Sequence, residues 1–453
     1  PFEIIYLILT SWGVVQLFYK AKKRTHSAIL YKIALSVFLI HFLIEDPRWQ
    51  MFPAYFLGIL IFALHTKNVS SFIKTTIALL TFFSFSLPMA VPIIKMPKPT
   101  GKNNIGTSTH HWIDNTRKEW FTESPDDFRQ IMVQVWYPGQ LGKKNKRAPY
   151  LDRIDIRAKT MAKAGGFPKF LINHLELTGT NSYLDLFVNN NSTPVPIIIF
   201  SHGITGSRHI HTALAEELAS HGYLVVGVDH AYDANLTIFP DGSIASYRSD
   251  ITGHPDSISI RRKQINTRTE DITFIIDQLY KIQSGKIKHN LNGYLDLSRI
   301  GVAGHSYGGG TSILAADKDR RIKSVVVLDA WLNPLPEYVI KKGIKQPILY
   351  MGRPHWKDSD YPSNNSLVDV LMENTKGPKH HITIKETRHL NYCDAPLFSP
   401  FVKHFLEVGE MNREKSVKLI NEITLEFFNQ HLRSVKSEAL NNLQLYQDLV
   451  IHK

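Results

Sequence analysis

Residues 299–310 read RIGVAGHSYGGG. A short apolar run, RIGVAG, is followed by Ser306, with Gly304 and Gly308 two places to either side of it. The run has the composition of a buried strand, and GGGTSILAAD beyond it opens a helical pattern. A strand that ends on a serine and turns at once into a helix is the setting of a nucleophile elbow, where a strained turn pushes a hydroxyl into the open above a sheet. A tight turn that needs small residues would use the same letters, and five-residue matches arise by chance, so the neighbouring segments must carry the reading.

They alternate in the way an elbow requires. Strands are predicted at 131–138 (IMVQVWYP), 195–201 (VPIIIFS), 223–229 (YLVVGVD), 324–330 (SVVVLDA), 346–352 (QPILYMG) and 381–385 (HITIK). Continuous apolar runs of this length suit parallel strands covered on both faces. Helical patterns fall at 211–222, closed by Gly222, at 267–282, and at 416–432, where Ile420, Ile423, Phe427 and Leu432 share a face. Strand, helix, strand repeated predicts an α/β fold with a mostly parallel central sheet and helices on both faces. Ligands bind such sheets beyond the carboxyl ends of the strands. Ser306, Asp329 and the turn FSHG at 200–203 all lie there.

A serine nucleophile needs a base, and the base an orienting acid. In this architecture the chain order is serine, acid, histidine. The histidines after Ser306 are His355, His380, His381, His389, His404, His431 and His452. His389 follows HITIK in the loop ETRHLNYCD, from which it can reach back over the sheet, while His380 and His381 open that strand at its other end. The bland alternative for His389 is a surface-loop histidine. Three acids compete: Asp329 after SVVVL, and Asp358 and Asp360 beyond the next strand. Position alone leaves that contest open. Asp317 and Asp319, at the polar end of the helix after the elbow, read as solvated. Backbone N–H groups must also receive the developing oxyanion, and losing one such donor costs on the order of 10²–10³ in rate. Tyr307, next to the nucleophile, is expected to supply one and Ile204 in SHGITGSR the other, with Gly203 letting the backbone come close. An ordinary strand-to-helix turn would look the same.

The first hundred residues pose a different solvent problem. Apolar runs occupy 2–19, 28–44, 51–64 and 72–94, separated by short polar links. A 17-residue helix spans about 25 Å, a little under the roughly 30 Å of a bilayer core. The reading is about four transmembrane helices in residues 1–97, with a catalytic domain over 98–453. A helical domain with its own buried core is the alternative. A cleaved signal peptide fits less well, since the first run has no basic leader and three further runs follow it. The link KAKKRTH at 20–26 is strongly basic, EDPRWQ at 45–50 is mixed, and HTKNVSSFIK at 65–74 carries two lysines. Basic links belong in the cytoplasm, so four spans leave the catalytic domain outside it, although Lys95, Lys98 and Lys102 follow the last span. The expected location is a multi-pass cell-membrane protein. Pro97 and Pro99 mark the linker.

Composition limits the rest. The 453 residues are 43% hydrophobic and 21% charged, which fits a folded chain. The single cysteine, Cys393, leaves no intramolecular disulfide and no cysteine-based metal spacing. The net charge is +13, and nine Lys/Arg against three Asp/Glu place about half of that excess in residues 1–97. Aromatic residues do not interleave with basic clusters, so nucleic acid is not an expected partner, whereas an anionic membrane surface is. The segment 150–188, including IRAKTMAKAGGFPKFLINHLEL, and the polar loop 231–260 are candidates for lining or covering a pocket, or for plain packing and a surface excursion.

Four stretches together resemble the platelet-activating-factor acetylhydrolase family. They are 197–230 (IIIFSHGITGSRHIHTALAEELASHGYLVVGVDH), 299–311 (RIGVAGHSYGGGT), 324–335 (SVVVLDAWLNPL) and 381–394 (HITIKETRHLNYCD). The likeness begins near PTGKNNIGT at 99–107 and runs to about residue 400, with LDAW after the elbow more telling than the elbow itself. The resemblance implies an α/β-hydrolase fold and a serine-dependent, calcium-independent lipase acting on short or oxidised acyl chains of phospholipids. It implies Ser306 as nucleophile, Asp329 as acid and His389 as base, and Ile204 and Tyr307 as oxyanion donors. The acid contest is thereby decided for Asp329. Tyr307 stands where the family often has phenylalanine, a change that leaves a backbone donor intact. A lipid or small ester substrate follows, with no metal and no organic cofactor. An acyltransferase, a serine peptidase of the same fold and an inactive membrane binding module are the alternatives.

Overall fold

The computed structural model describes residues 2–18, 25–65, 69–188, 193–249, 254 and 256–452. The basic link 20–26 lies largely outside these residues, as do parts of the link 65–74 and of the loop 231–260.

Thirteen strands are described: β1 Asn104–Lys118, β2 Phe128–Gly139, β3 Arg147–Pro149, β4 Gly179–Leu184, β5 Val195–Ser201, β6 Leu224–His230, β7 Leu236–Ile238, β8 Ile244–Ser246, β9 Leu295–His305, β10 Ile322–Leu328, β11 Ile348–Gly352, β12 Lys379–Ile384 and β13 Leu449–His452. β7 and β8 form a separate hairpin, and the others make one sheet in the order β13-β12-β11-β10-β9-β5-β6-β2-β1-β4-β3. From β6 through β5, β9, β10 and β11 to β12 every pairing is parallel. β2 runs antiparallel to both β6 and β1, and β13 closes the other edge antiparallel to β12.

Side chains alternate across the sheet as a period of two demands. Ile197 and Ile199 of β5 join Ile272, Ile276 and Leu279 of the helix Ser257–Gln283 on one face. Ile198 and Phe200 point the other way, into Leu214 and Leu218 of the helix Thr212–Ser220 and Ile420, Ile423, Phe427 and Leu432 of the helix Arg413–Arg433. With both faces covered, all seven residues of β5 and of β6 are buried. That is why the central strands read as unbroken apolar runs. The chain steps from β5 outward to β6, then returns to the opposite side of β5 with β9. The crevice beyond the carboxyl ends of β5 and β9 is therefore the point where strand order reverses, the natural ligand site of such a sheet.

Each of the four N-terminal apolar runs forms a helix: Phe2–Phe18, Thr25–Ile44, Phe52–Leu64 and Ser71–Ala90. They share small internal clusters, one around Tyr6, Met51 and Tyr55 and another around Leu57, Ile61 and Ile77. Ile8, Leu43, Phe72 and Phe82 meanwhile face outward. Among the described residues only Ser71–Ala90 is long and apolar enough to cross a membrane, while the other apolar stretches, Phe2–Phe18, Ile29–Ile44 and Trp49–Leu64, run to 17 residues or fewer. The expectation of four spans is thus narrowed to one by length: hydropathy reads apolar content, but at 1.5 Å per residue a helix of Phe52–Leu64 is only about 20 Å long. These helices rest on the sheet-bearing part through Ile94, which packs with Tyr150, Leu151 and Leu175. The Ser399 hydroxyl also donates to the Ala90 carbonyl at 2.5 Å, and the Trp49 ring meets Phe170 edge-on at 5.1 Å.

Candidate active site

β9 ends at His305 and the helix Tyr307–Lys318 starts two residues later, so Ser306 alone makes the turn. Its backbone sits at φ 57°, ψ −120°, a conformation that costs a side-chain-bearing residue of the order of 1–3 kcal/mol. Neighbours hold it there. Ser306 N donates to Leu328 O at 2.9 Å, and Ser306 O accepts from Gly309 N and Trp331 N, each at 3.0 Å. The flanking glycines answer to close packing. A Cβ on Gly304 would lie 2.1 Å from Gly308 O, and one on Gly308 would lie 2.0 Å from Ser201 O. The first helical turn is pressed directly onto β9 and β5, and only hydrogen fits between.

The structure brings together the three side chains expected from the sequence. His389 Nε2 lies 2.8 Å from Ser306 Oγ, and His389 Nδ1 lies 2.5 Å from Asp329 Oδ2. Asp329 follows β10, is fully buried, and is itself at φ 42°. Its other oxygen accepts from Arg353 N at 3.0 Å and from Trp356 Nε1 at 3.3 Å. The Arg353 guanidinium pairs with Glu407, brings its Nε to 3.4 Å from Asp329 Oδ2, and lies 4.1 Å over the Trp356 ring, which in turn meets His389 edge-on at 5.2 Å. Arg353 and Trp356 were not legible in the sequence, because nothing local ties residues beyond β11 to a carboxylate after β10. The His305 ring lies tilted against His389 with centroids 4.7 Å apart, and its Nε2 is 3.0 Å from His389 O. Burial, helped by His389 and His211, holds the His305 pKa well below the ordinary histidine range. A neutral ring beside His389 does not oppose a positive charge forming there.

The second loop of the crevice follows β5. A Cβ on Gly203 would stand 3.2 Å from Ser306 Cβ, so glycine lets this backbone reach the serine. The turn is closed by Gly206 N donating to Gly203 O at 3.1 Å and by Thr205 N donating to Asp233 O at 3.3 Å. Among the described residues, neither the Ile204 nor the Tyr307 amide has a hydrogen-bond acceptor. Beneath the turn lies a buried polar network that the sequence reading missed. Arg268 donates to His202 O, and His230 N donates to His202 Nε2 at 3.2 Å. Ser201 Oγ is 2.9 Å from His230 Nε2, and His230 Nδ1 is 2.8 Å from Asp271 Oδ2.

The crevice is a cavity of about 360 Å³. Leu151, Arg157 and Met161 form one wall, Ile204 another, and Leu390, Phe398 and Leu406 the third. The helix Ile154–Gly165 therefore lines the pocket, and from the loop 231–260 Asn235 reaches it. The rejected candidates lie elsewhere. Asp358 faces His355 at 3.6 Å in exposed chain, and His381 stacks on His452 at the sheet edge. Asp317 and Asp319 are not simply solvated: they pair with Lys342 and Arg321, because the helix end is folded against basic neighbours. Among the described residues no group of three or more His, Cys, Asp or Glu side chains is arranged to hold a metal ion.

The sheet order, the strained serine after β9 and the chain order Ser306, Asp329, His389 define the α/β-hydrolase class of fold. A ferulic acid esterase from Streptomyces cinnamoneus shares that fold, with a TM-score of 0.65 and 24% identity over 79% of this chain and 99% of its own. Within the class, the chain belongs to the family described as platelet-activating factor acetylhydrolase, isoform II, whose model matches residues 92–448. The platelet-activating factor acetylhydrolase of Gallus gallus is 28% identical over 265 residues, 52% of this chain and 62% of that relative's length. The bovine protein of the same name is 26% identical over 371 residues, 75% of this chain and 77% of its own. This chain thus spans less than two thirds of the chicken relative it matches.

Proposed function

We propose that this chain is a serine-dependent carboxylic ester hydrolase acting on phospholipids that carry short or oxidised acyl chains. The observation that carries the reading is the hydrogen-bonded line Ser306–His389–Asp329 opening on a largely apolar pocket. Family membership over residues 92–448 supports it independently.

His389 Nε2 takes the proton from Ser306 Oγ as that oxygen bonds to the ester carbon. The carbonyl electron pair moves onto oxygen, where the Ile204 and Tyr307 N–H groups receive it. Such pre-aimed donors stabilise charge at the moment it forms, with no reorganisation. As the tetrahedral centre collapses, the bond to the alcohol breaks, and the lysolipid leaves with the proton from His389 Nε2. Water then gives a proton to the same nitrogen and attacks the acyl-serine. The second collapse returns that proton to Ser306 and frees the carboxylic acid. Asp329 accepts from Nδ1–H, which fixes the tautomer and stabilises the imidazolium. General-base assistance of this kind contributes about 10²–10⁴ in rate.

The reading extends to the membrane. Residues 1–97 form the membrane-anchoring unit and 98–453 the catalytic unit, outside the cytoplasm. Support comes from the length and composition of Ser71–Ala90, from the outward apolar side chains of all four helices, and from the basic links between the first and second and the third and fourth apolar runs. The deciding experiment is fluorophosphonate labelling with peptide mapping. The adduct is expected on Ser306, absent in Ser306→Ala and greatly slowed in His389→Ala. Labelling at another residue, or undiminished labelling of Ser306→Ala, refutes the assignment.

A further inference from the structure

Beside the Ser306 pocket lies a larger cavity, of about 620 Å³, well within the ~300–1,000 Å³ range of small-molecule sites. Three stretches distant in sequence build it: Ala90 and Val91 at the end of the helix Ser71–Ala90, residues 166–175, and residues 398–406. The two cavities adjoin. Phe398 and Leu406 line both, and the adjacent Gly165 and Gly166 line one each.

The lining indicates what would fill it. Phe167, Leu171, Ile172 and Phe405 are hydrocarbon, and no Lys, Arg, Asp or Glu contributes to the wall. The Ser399 hydroxyl is spent on Ala90 O. His174 is buried, with the Leu171 and Pro92 backbone as the polar neighbours of its ring. Burial, with Arg48 nearby, pushes its pKa down to about 4, so it adds no charge near neutral pH. A charged head group would lose hydration here and meet only Ser399, His174 and His404 as polar side chains, with no Lys, Arg, Asp or Glu to pair with. A hydrocarbon chain loses nothing, and each methylene buried tightens binding by roughly fourfold.

We propose that this cavity holds the long hydrocarbon chain of the ester substrate, the one that departs with the lysolipid. The chain passes between Phe398 and Leu406 while the short acyl group occupies the pocket at Ser306. This division of space rests on the ester-hydrolase reading and deepens it. It makes the enzyme selective for esters with one short and one long chain. It also makes the N-terminal helices part of the substrate site, since Ala90 and Val91 form part of the wall.

The test uses the full chain in phosphatidylcholine vesicles and an alkyl fluorophosphonate with a diazirine at the far end of a long tail. Once the probe is bonded to Ser306, illumination is expected to crosslink it to peptides containing 90–91, 166–175 or 398–406. In parallel, Leu171→Trp fills the cavity without touching the Ser306 pocket. It is expected to lower kcat/KM about tenfold for a 1-hexadecyl-2-acetyl phospholipid and to leave p-nitrophenyl acetate turnover within twofold. Loss on both substrates would report damage to the fold, and the wild-type crosslink then decides alone. Crosslinks confined to other peptides overturn the tail site, as does a correctly folded Leu171→Trp with unchanged kcat/KM for the long-chain ester. A wild-type chain that takes no probe at Ser306 overturns the ester-hydrolase reading itself, a separate failure, and the tail site falls with it.

Discussion

Among the described residues stand two serine–histidine–aspartate lines, and they differ in almost everything except their atoms. Ser306–His389–Asp329 has hydrogen bonds of 2.8 and 2.5 Å, and Ser201–His230–Asp271 has 2.9 and 2.8 Å. Ser306 is 7% exposed and the His389 side chain 16%, at the edge of a cavity. Ser201, His230 and Asp271 are all at 0%. Charge separates them further. Asp271 bonds to both Arg129 and Arg117, and although burial opposes ionisation, Arg129 and the other partners hold its pKa far below the usual carboxylate range. Burial and the Arg268 guanidinium push His230 down to about 4. A carboxylate already committed to two guanidinium groups has little left for an imidazolium. The buried line therefore positions the end of β5 and the turn at Gly203, whereas the open one is free to take up and release a proton. Hydrogen-bond geometry alone does not make a catalytic triad: access does, together with an acid that faces one guanidinium, Arg353 Nε at 3.4 Å from Asp329 Oδ2, and not two closer ones.

The sharpest way to break this division is to remove each hydroxyl in turn. Ser306→Ala is expected to lower ester turnover by a factor on the order of 10⁴–10⁶, measured as kcat on p-nitrophenyl acetate. Ser201→Ala should leave kcat within several-fold and instead lower the melting temperature, because an unpaired His230 nitrogen costs about 1–3 kcal/mol. A folded Ser201→Ala protein without activity would reverse the roles assigned to the two lines. The acids form the next contrast. Asp329→Asn loses the correct histidine tautomer and should cost about 10⁴ in kcat with little change in melting temperature. Asp271→Asn leaves Arg129 and Arg117 short of a partner in a buried site, a loss of about 3–5 kcal/mol. It should reduce stability far more than the kcat of the molecules that remain folded. A smaller step tests the shell around the open acid. Trp356→Phe removes one donor to Asp329 Oδ1 and should lower kcat roughly tenfold, part of the 1.5–3 kcal/mol typical of a hydrogen bond to a charged group. An unchanged kcat would limit the support of Asp329 to His389 and to Arg353, through its amide and its guanidinium.

Legibility in the sequence followed the same physical divide. The central strands could be read because both faces are buried, which leaves a continuous apolar run at each of β5, β6, β9 and β10. The elbow could be read because close packing forces glycine at Gly304 and Gly308. His389 stood out in the loop after β12, but Asp329 was separable from Asp358 and Asp360 only through family resemblance. β1 was missed. Its fifteen residues, NIGTSTHHWIDNTRK, are mostly polar, and pairing with β2 makes them a strand. β13 was missed because four residues at an edge, one buried and three exposed, carry almost no pattern. The buried line was invisible for another reason. Ser201, His230 and Asp271 lie 29 and 41 residues apart along the chain, and no local signal announces a bond over that distance.

A third buried aspartate tests whether the partner, rather than burial alone, sets a carboxylate's behaviour. Asp394 lies five residues beyond His389 and accepts from Tyr150 Oη at 3.1 Å, Thr212 N at 2.9 Å and Ala213 N at 3.3 Å. These donors are neutral, unlike the guanidinium groups on Asp271. Burial raises the Asp394 pKa to about 7, against the lowering effect of those three hydrogen bonds and with Glu216 adding to the rise. An unfolded aspartate titrates near 3.9. Between about pH 4 and 7 the folded chain therefore holds a proton that the unfolded chain has released. The associated stability is complete below about pH 4 and is lost as the pH rises through about 7. Melting temperature is accordingly expected to fall between pH 5 and 8, and to fall less in Asp394→Asn, which stays neutral while keeping an acceptor for the two amides. Identical pH slopes in the two proteins would mean that three neutral hydrogen bonds suffice to keep a buried carboxylate ionised. The contrast with Asp271 would then lose its basis in charge.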